Sequence, residues 1–472
     1  VPSLVRFLAG VCTVAWPTLS AATQEPQRLP PPAYQPLRQN EDWSRYRWEE
    51  VQEPLDRLKH LDLSADGSVW LSLGGRADLR FEAWDGFGFG ARPAHQPPHD
   101  ADTFTLTRVL PYGDLHLGEH VRVFVEGRSA QSTDRELAGR RRQSDVDTLD
   151  LFQGFVDFTT PLGEDAYARL RVGRQSFLFG NQRLVSPLLW GNVWNAWDGA
   201  SLAVRFGSWS VETFYTKFVA VDPTGPNEAD EHRTLYGVYA TRPAPQDGRG
   251  LDLYLLGNTR AAVTVNGSHG DERRHTLGAR NFGGLGAGFD GEVEGAWQSG
   301  HVGSASVSAW FASGVLGRRF TEAWLTPRLF CGLDAASGDH RPGGSVGTFH
   351  QIHPLGHAYF GFADAFGRQN IAAAQLGVQL QVAKSTVLQL TGHAFQAMER
   401  RDAAYAVNGT VARTGLSGRD LGEEVDLLLT HRFQRHMDGY AGYSHVFAGS
   451  GLRGTGPVHD MNFAYVGAGV MF

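Results

Sequence analysis

The feature that most constrains this chain is an alternation of period two that recurs over most of its length. In LSLGGRADLRFEAW, Leu71, Leu73, Ala77, Leu79, Phe81 and Ala83 take one set of positions, and Ser72, Arg76, Asp78, Arg80 and Glu82 take the other. Successive side chains of a strand point to opposite faces, so the stretch predicts a β-strand with one apolar face and one face carrying charges of both signs. Such a strand either covers the core of a soluble sandwich with its charges in water, or lines a wet barrel with its apolar side in lipid.

One strand does not decide between these, but the series does. In VRVFVEGRS, Val121, Val123 and Val125 oppose Arg122, Glu126 and Arg128; in AYARLRVGR, Ala168, Leu170 and Val172 oppose Arg169 and Arg171, with Arg174 following. GEVEGAWQ sets Val293 and Trp297 against Glu292, Glu294 and Gln298, and PRLFCGLDA sets Leu329, Cys331 and Leu333 against Arg328 and Asp334. Near the end Glu424 and Asp426 oppose Val425, Leu427 and Leu429, and MNFAYVGAGVMF alternates up to Phe472. Hardly an amphipathic helix separates these stretches. Strands of about 10 residues, apolar outward and polar inward with turns between, are the signature of a transmembrane barrel. The expectation is therefore an all-β, antiparallel transmembrane barrel in which Leu79 and Phe81 face lipid and Arg76, Asp78, Arg80 and Glu82 face a wet lumen. Closure follows, because an open edge in hydrocarbon would leave backbone amides unpaired. The chain from residue 67 to 472 has room for about 16 to 18 strands, enough for a lumen wider than side chains alone can fill.

Composition agrees. With 42% hydrophobic and 20% charged residues the chain is not of disordered type, and 58 glycines and 28 phenylalanines against 4 methionines suit strands and turns. The body has no run of about 18 apolar residues, so a helical span is excluded. A net charge of -7 without a basic stripe gives no reason to expect nucleic acid.

The first 22 residues, VPSLVRFLAGVCTVAWPTLSAA, combine Arg6, an apolar run and small residues at Ser20, Ala21 and Ala22, and read as a secretory signal peptide. Acylation at Cys12 is disfavoured by Val11, which stands where a small residue is wanted. Removal of the signal leaves Cys331 alone, so no intramolecular disulfide is expected. Residues 23–66, with Pro30 to Pro32 and a polar stretch after them, form a periplasmic N-terminal segment, read as a linker in preference to a plug.

Several stretches resemble the alginate export family of outer-membrane barrels: NEDWS at Asn40, LSLGGRADLRFE at Leu71, LRVGRQSFLFGNQRLVS at Leu170, WDGASL at Trp197, RHTLGAR at Arg274, GEVEGAWQSG at Gly291, PRLFCGLDAASGD at Pro327, GTFHQIHPLGHAYFG at Gly347, LGEEVDLLLTHRF at Leu421 and GYSHVFAGSGL at Gly442. They span nearly the whole mature chain in family order. The resemblance implies a barrel of about 18 strands with a charged lumen in the outer membrane, passing an alginate-like polyuronate. Arginines would compensate the desolvated carboxylates of such a polymer, and flanking carboxylates would keep it from sticking. The chain departs from the family pattern at Ser176-Phe177, where Glu-Leu is usual, and at Trp194-Asn195, where arginine is expected.

The candidate lumen residues are Arg76, Asp78, Arg80, Glu82, Arg122, Glu126, Arg128, Arg169, Arg171, Arg174, Arg280, Glu294, Arg328, Asp334, Glu424 and Asp426. They either meet a solute or satisfy one another as salt bridges that hold the barrel's shape. Trp190, Trp194 and Trp197 read as interface-belt residues in preference to a sugar-stacking slide. His350, His353 and His357 lie in a loop interrupted by Pro354, which favours an external or inward-folded constriction over a metal site. Ser444 and His445 are adjacent on a strand and so point to opposite faces, and no G-x-S-x-G motif is present, so no enzyme is expected. No cofactor is implied. The partners expected are the outer-membrane bilayer, an anionic saccharide or polysaccharide, and periplasmic export proteins. A small-solute porin and a scaffold barrel around a periplasmic partner are the alternatives.

Overall fold

The computed structural model describes residues 31–46, 53–90, 99–140, 142–245 and 248–472. The signal-peptide reading of residues 1–22 lies outside them. Period-two alternation becomes 18 long antiparallel strands: β1 Val69–Asp85, β2 Asp102–Leu117, β3 Val121–Ser132, β4 Asp147–Gly163, β5 Ala166–Gln175, β6 Trp197–Phe206, β7 Trp209–Ala220, β8 Glu228–Arg242, β9 Arg249–Val265, β10 Ser268–Gly286, β11 Phe289–Val302, β12 Ala305–Arg319, β13 Arg328–Ala336, β14 Ile371–Ala383, β15 Thr386–Ala397, β16 Asp420–Gln434, β17 Met437–Ala448 and β18 Met461–Met471. Each pairs with its neighbour in sequence, and β18 pairs back onto β1, with Arg76 opposite Met471 and Asp85 opposite Asn462. The sheet is a closed barrel, and closure leaves no edge to expose unpaired amides to lipid.

The two faces separate as the alternation predicts. Leu79, Val293, Leu333 and Leu376 are more than half exposed on the outer wall, whereas Ser72, Glu82, Glu126 and Arg171 are buried inside. Short turns, such as 118–120, 164–165 and 384–385, gather at the end where β1 begins, and the longest connections, 86–101, 176–196, 337–370 and 398–419, gather at the other. Outer-membrane barrels have this asymmetry, with short periplasmic turns and long extracellular loops.

A barrel this wide needs more than its own side chains to fill it. Two long loops, 176–196 and 337–370, fold inward and join. Val185 and His353 form a parallel bridge, the His353 amide donates to Leu184 O at 2.8 Å, and the Leu355 amide donates to Gln182 O at 2.9 Å. Their aromatic residues, among them Phe177, Phe349 and Phe366, pack on the inward-facing Phe214, Phe311, Phe395 and Phe463 in one buried cluster. Gly361, at φ +83°, lets the second loop press against β16, where a Cβ would run into the Glu424 carboxylate.

The N-terminal segment also enters the barrel, which differs from the linker expected. Leu37 packs with Leu110, Phe152 and Trp194, and Gln39 accepts from Arg122 Nη2 at 2.9 Å and from Gln153 Nε2 at 2.8 Å. Arg38 donates to the Phe472 carbonyl at 3.0 Å, and Asp56 pairs with Arg435 in the last short turn. Lys59, fully buried, donates to Leu73 O at 3.0 Å and to the Tyr112 hydroxyl at 2.8 Å. Only glycine fits at position 74 beneath it, since a Cβ there would meet Lys59 Nζ and the Phe472 carbonyl. The polar and aromatic composition that suggested a solvated linker instead serves the interior, where Arg38, Gln39, Asp56 and Lys59 find partners on the barrel wall.

Candidate functional site

The alternation that makes the strands also places their charges on the inner wall, and there they pair. Asp78 accepts from Arg76 at 2.7 Å and from Arg108 at 2.7 Å, and Arg80 meets Glu82 at 2.8 Å. Arg122 pairs with Asp114 and Arg171 with Asp157, both at 2.7 Å. Arg128 meets Asp147 at 2.5 Å and Arg328 meets Asp290 at 2.5 Å. Arg174 departs from the expected lumen set: it has the parity of the exposed Leu170 and Val172, and its pair with Asp198 at 2.8 Å lies in an outer groove beside Leu151, Val172 and Tyr215. Arg280 bridges Asp252 at 2.9 Å and Glu292 at 2.5 Å. Glu126 accepts from Gln153 at 2.8 Å. Arg169 differs: its buried Nε has no hydrogen-bond partner among the described residues. Buried charges are tolerated when geometry and additional hydrogen bonds compensate desolvation, and the forked pairs Arg122–Asp114 and Arg171–Asp157 meet that condition.

The remaining candidates hold the inward loops. Glu294 and Asp334 bind Arg183 at 3.0 Å and Arg368 at 2.9 Å, one arginine from each loop, and Arg368 also donates to Arg183 O at 3.0 Å. Glu424 accepts the Ala363 amide at 2.8 Å. Asp426 accepts from Ser444 Oγ at 2.6 Å and lies 3.2 Å from His393 Nε2. Here the carboxylate stands between serine and histidine, so the hydroxyl bonds the carboxylate and not the imidazole, the reverse of the order in a hydrolase triad. His445 turns the other way, to Asn462 at 2.8 Å.

Sequence reasoning missed Arg108, Arg183 and Arg368. Arg108 lies on a strand whose alternation was not singled out, and the other two lie in segments with no period to read. The signal for Arg183 was its place in the family-like stretch LRVGRQSFLFGNQRLVS, and for Arg368 only the glycine before it in AFGRQN.

The tryptophans are not a belt. Trp194 and Trp197 are buried inside, and belt-like exposure belongs instead to Trp297 and Trp310, directly opposite each other on the outer faces of β11 and β12. Trp190 is no free stacking platform either. His357 lies parallel to it with ring centroids 3.8 Å apart, and the Arg80 guanidinium lies 3.9 Å from its centroid, so both ring faces are covered. Likewise Arg108 covers Trp194 at 4.3 Å.

Between the inward loops and strands β1 and β7 to β9 lies a cavity of about 640 Å³. Arg80, Arg142, Arg233 and Arg260 reach it, against the carboxylates of Glu82, Asp145 and Asp364. His350 and His353 line it from the loop, and burial holds both imidazoles well below their ordinary value, hence neutral at pH 7. Among the described residues no cluster of histidine, cysteine and carboxylates could hold a metal ion.

A closed barrel of 18 strands with an apolar outer wall, a charged inner wall and inward loops narrowing the passage is an outer-membrane channel of porin type. Its fold is that of solved porins: Pseudomonas aeruginosa OccK11 (OpdR), with a TM-score of 0.52 at 11% identity over 85% of this chain and 96% of that one; Pseudomonas aeruginosa OpdK with vanillate, 0.55 at 9% over 85% and 98%; and Acinetobacter baumannii OccAB3, 0.54 at 10% over 85% and 99%. No curated protein matches the chain by sequence. The chain belongs to the alginate export family, which it matches over residues 69–466, and its place is the outer membrane.

Proposed function

We propose that the protein is a passive outer-membrane conduit for a hydrophilic, anionic saccharide of the polyuronate kind, carried along the Arg/carboxylate inner wall. The observation that carries this reading is the cavity toward the long-loop end of the barrel, where four arginines and three carboxylates line the space against the two inward loops. Fixed cations lower the cost of desolvating a sugar acid, and interleaved carboxylates keep the anion from binding too tightly to leave. Membership of the alginate export family supports the same solute class. The lumen residues predicted from sequence have two tasks in this reading, structural through their pairing and electrostatic through the field they leave along the path. Periplasmic export proteins would deliver the polymer to the short-turn end.

A second reading, a small-solute pore, has its own support. The N-terminal segment and both inward loops occupy the interior, and about 640 Å³ is the volume of a site for one small ligand rather than a long chain. Swelling of liposomes containing the protein separates the two. Entry of glucuronate and of short uronate oligomers faster than glucose supports the anionic saccharide conduit. Equal entry of glucose and glucuronate, with oligomers excluded, supports the small-solute pore instead.

A further inference from the structure

Most charges of the interior are paired, but one wall of the cavity is not balanced. Arg233 on β8 and Arg260 on β9 are directly opposite in the strand register. Like charges in that relation destabilise an antiparallel pair unless something neutralises them. Arg260 Nε reaches Glu272 at 2.6 Å, but the other oxygen of that carboxylate is taken by Arg274 Nε, also at 2.6 Å. Arg233 has no carboxylate within ion-pair distance among the described residues, and its guanidinium rests 4.0 Å from the Phe218 ring centroid. Arg260 and Arg274 thus share one carboxylate, and Arg233 feels only the more distant charge of Asp230.

Asn258 stands two residues before Arg260 on the same inner face, about 7 Å along the strand. It is 5% exposed and lines the cavity, yet neither its Nδ2 nor its Oδ1 has a hydrogen-bond partner among the described residues. A buried amide left unbonded costs stability. An unpaired cation facing one that only shares a carboxylate, with an unused amide donor and acceptor beside them, matches the outline of a sugar acid, a carboxylate with a hydroxyl on the neighbouring carbons.

We propose that Arg233, Asn258 and Arg260 form a carboxylate-binding subsite for a small organic acid, a free uronate above all, with the carboxylate between the two guanidiniums and the Asn258 amide bonding a hydroxyl. The assignment rests on the channel reading for its physiological meaning, but not for its test. The subsite is stereochemically selective because the asparagine amide, unlike the arginines, discriminates a hydroxylated acid from a bare anion. Asn195, where the family pattern would have supplied arginine, lines the same cavity.

The test is calorimetric titration of the full-length protein in detergent with glucuronate, glucose and inorganic phosphate. Glucuronate is expected to bind and glucose not, and Arg233→Gln and Asn258→Ala are each expected to weaken glucuronate by about tenfold. Asn258→Ala removes only atoms without partners, so it folds, and it carries the test if Arg233→Gln does not. Unchanged glucuronate affinity in Asn258→Ala would overturn the assignment, as would phosphate binding as tightly as glucuronate. Binding is read without conduction, so the two proposals fail separately. Glucuronate bound by a barrel that passes no current refutes the conduit and leaves the subsite, whereas anion current without glucuronate binding refutes the subsite alone.

Discussion

Arg128 and Asp147 meet at 2.5 Å with side chains 2% and 1% exposed, and Arg128 also donates to Trp194 O at 2.6 Å. Removing one partner of such a pair strands the other charge in the interior, so Arg128→Met is expected to cost about 3–5 kcal/mol in urea unfolding from liposomes. Replacing both, Arg128→Met with Asp147→Leu, is expected to recover most of that loss. Lys59 makes a prediction in pH. Burial, then the nearby Arg38 charge, pushes its ammonium down to about 7. Between about pH 7 and its ordinary 10.5 the undocked segment binds a proton that the docked one lacks, so docking strengthens as pH rises through that window and weakens below it. Protease protection of the N-terminal segment should therefore be greater at pH 9 than at pH 6, and Lys59→Met should abolish the difference. Because side-chain parity on a strand is fixed, the inward direction of Asp78, Arg122 and Arg171 was legible at this scale, whereas Arg174, on the parity of the exposed Leu170 and Val172, was misassigned to the lumen. The partners were not legible: Asp78 takes Arg108 from the next strand, and cross-strand register cannot be read from one strand's alternation.

The strands were legible as elements, and the loops were not. The alternation around Leu79 yields β1 and the direction of both its faces. The course of 176–196 and 337–370 depends on contacts that no local period encodes, such as the Leu184–His353 hydrogen bond and the Arg368–Asp334 pair. Tryptophans there read as a belt because sequence cannot distinguish a ring at the lipid boundary from one capped by Arg80 and His357 inside. The N-terminal segment failed for the same reason, since polar residues near a wet interior look like polar residues in solvent. If Tyr34–Tyr46 narrows the periplasmic half, deletion of residues 31–60 should raise single-channel conductance at least about twofold in planar bilayers, and unchanged conductance would place the restriction elsewhere. Gly361→Ala should detach the second loop from Glu424, read as faster proteolysis within 337–370 with the barrel still folded.

At the scale of the whole molecule, a closed apolar wall settles the solvent outside and an alternating charged wall settles the solvent inside, and both follow from one period in the sequence. What passes through depends on the balance of a few charges that survive pairing, a difference between large nearly equal numbers of arginines and carboxylates. That difference is not visible in a net charge of -7, which counts exposed loops and turns along with the lumen. In the proposed reading it resides in the neighbourhood of Arg233 and Arg260, in the cavity that Asn195 also lines. The central claim is that this interior favours anions, and reversal potentials across a planar bilayer under a salt gradient test it most directly, with polyuronate or neutral glucan then added. Anion-selective current, reduced by polyuronate and unchanged by glucan, is the predicted result; no current, or a cation-selective current indifferent to both polymers, would contradict it.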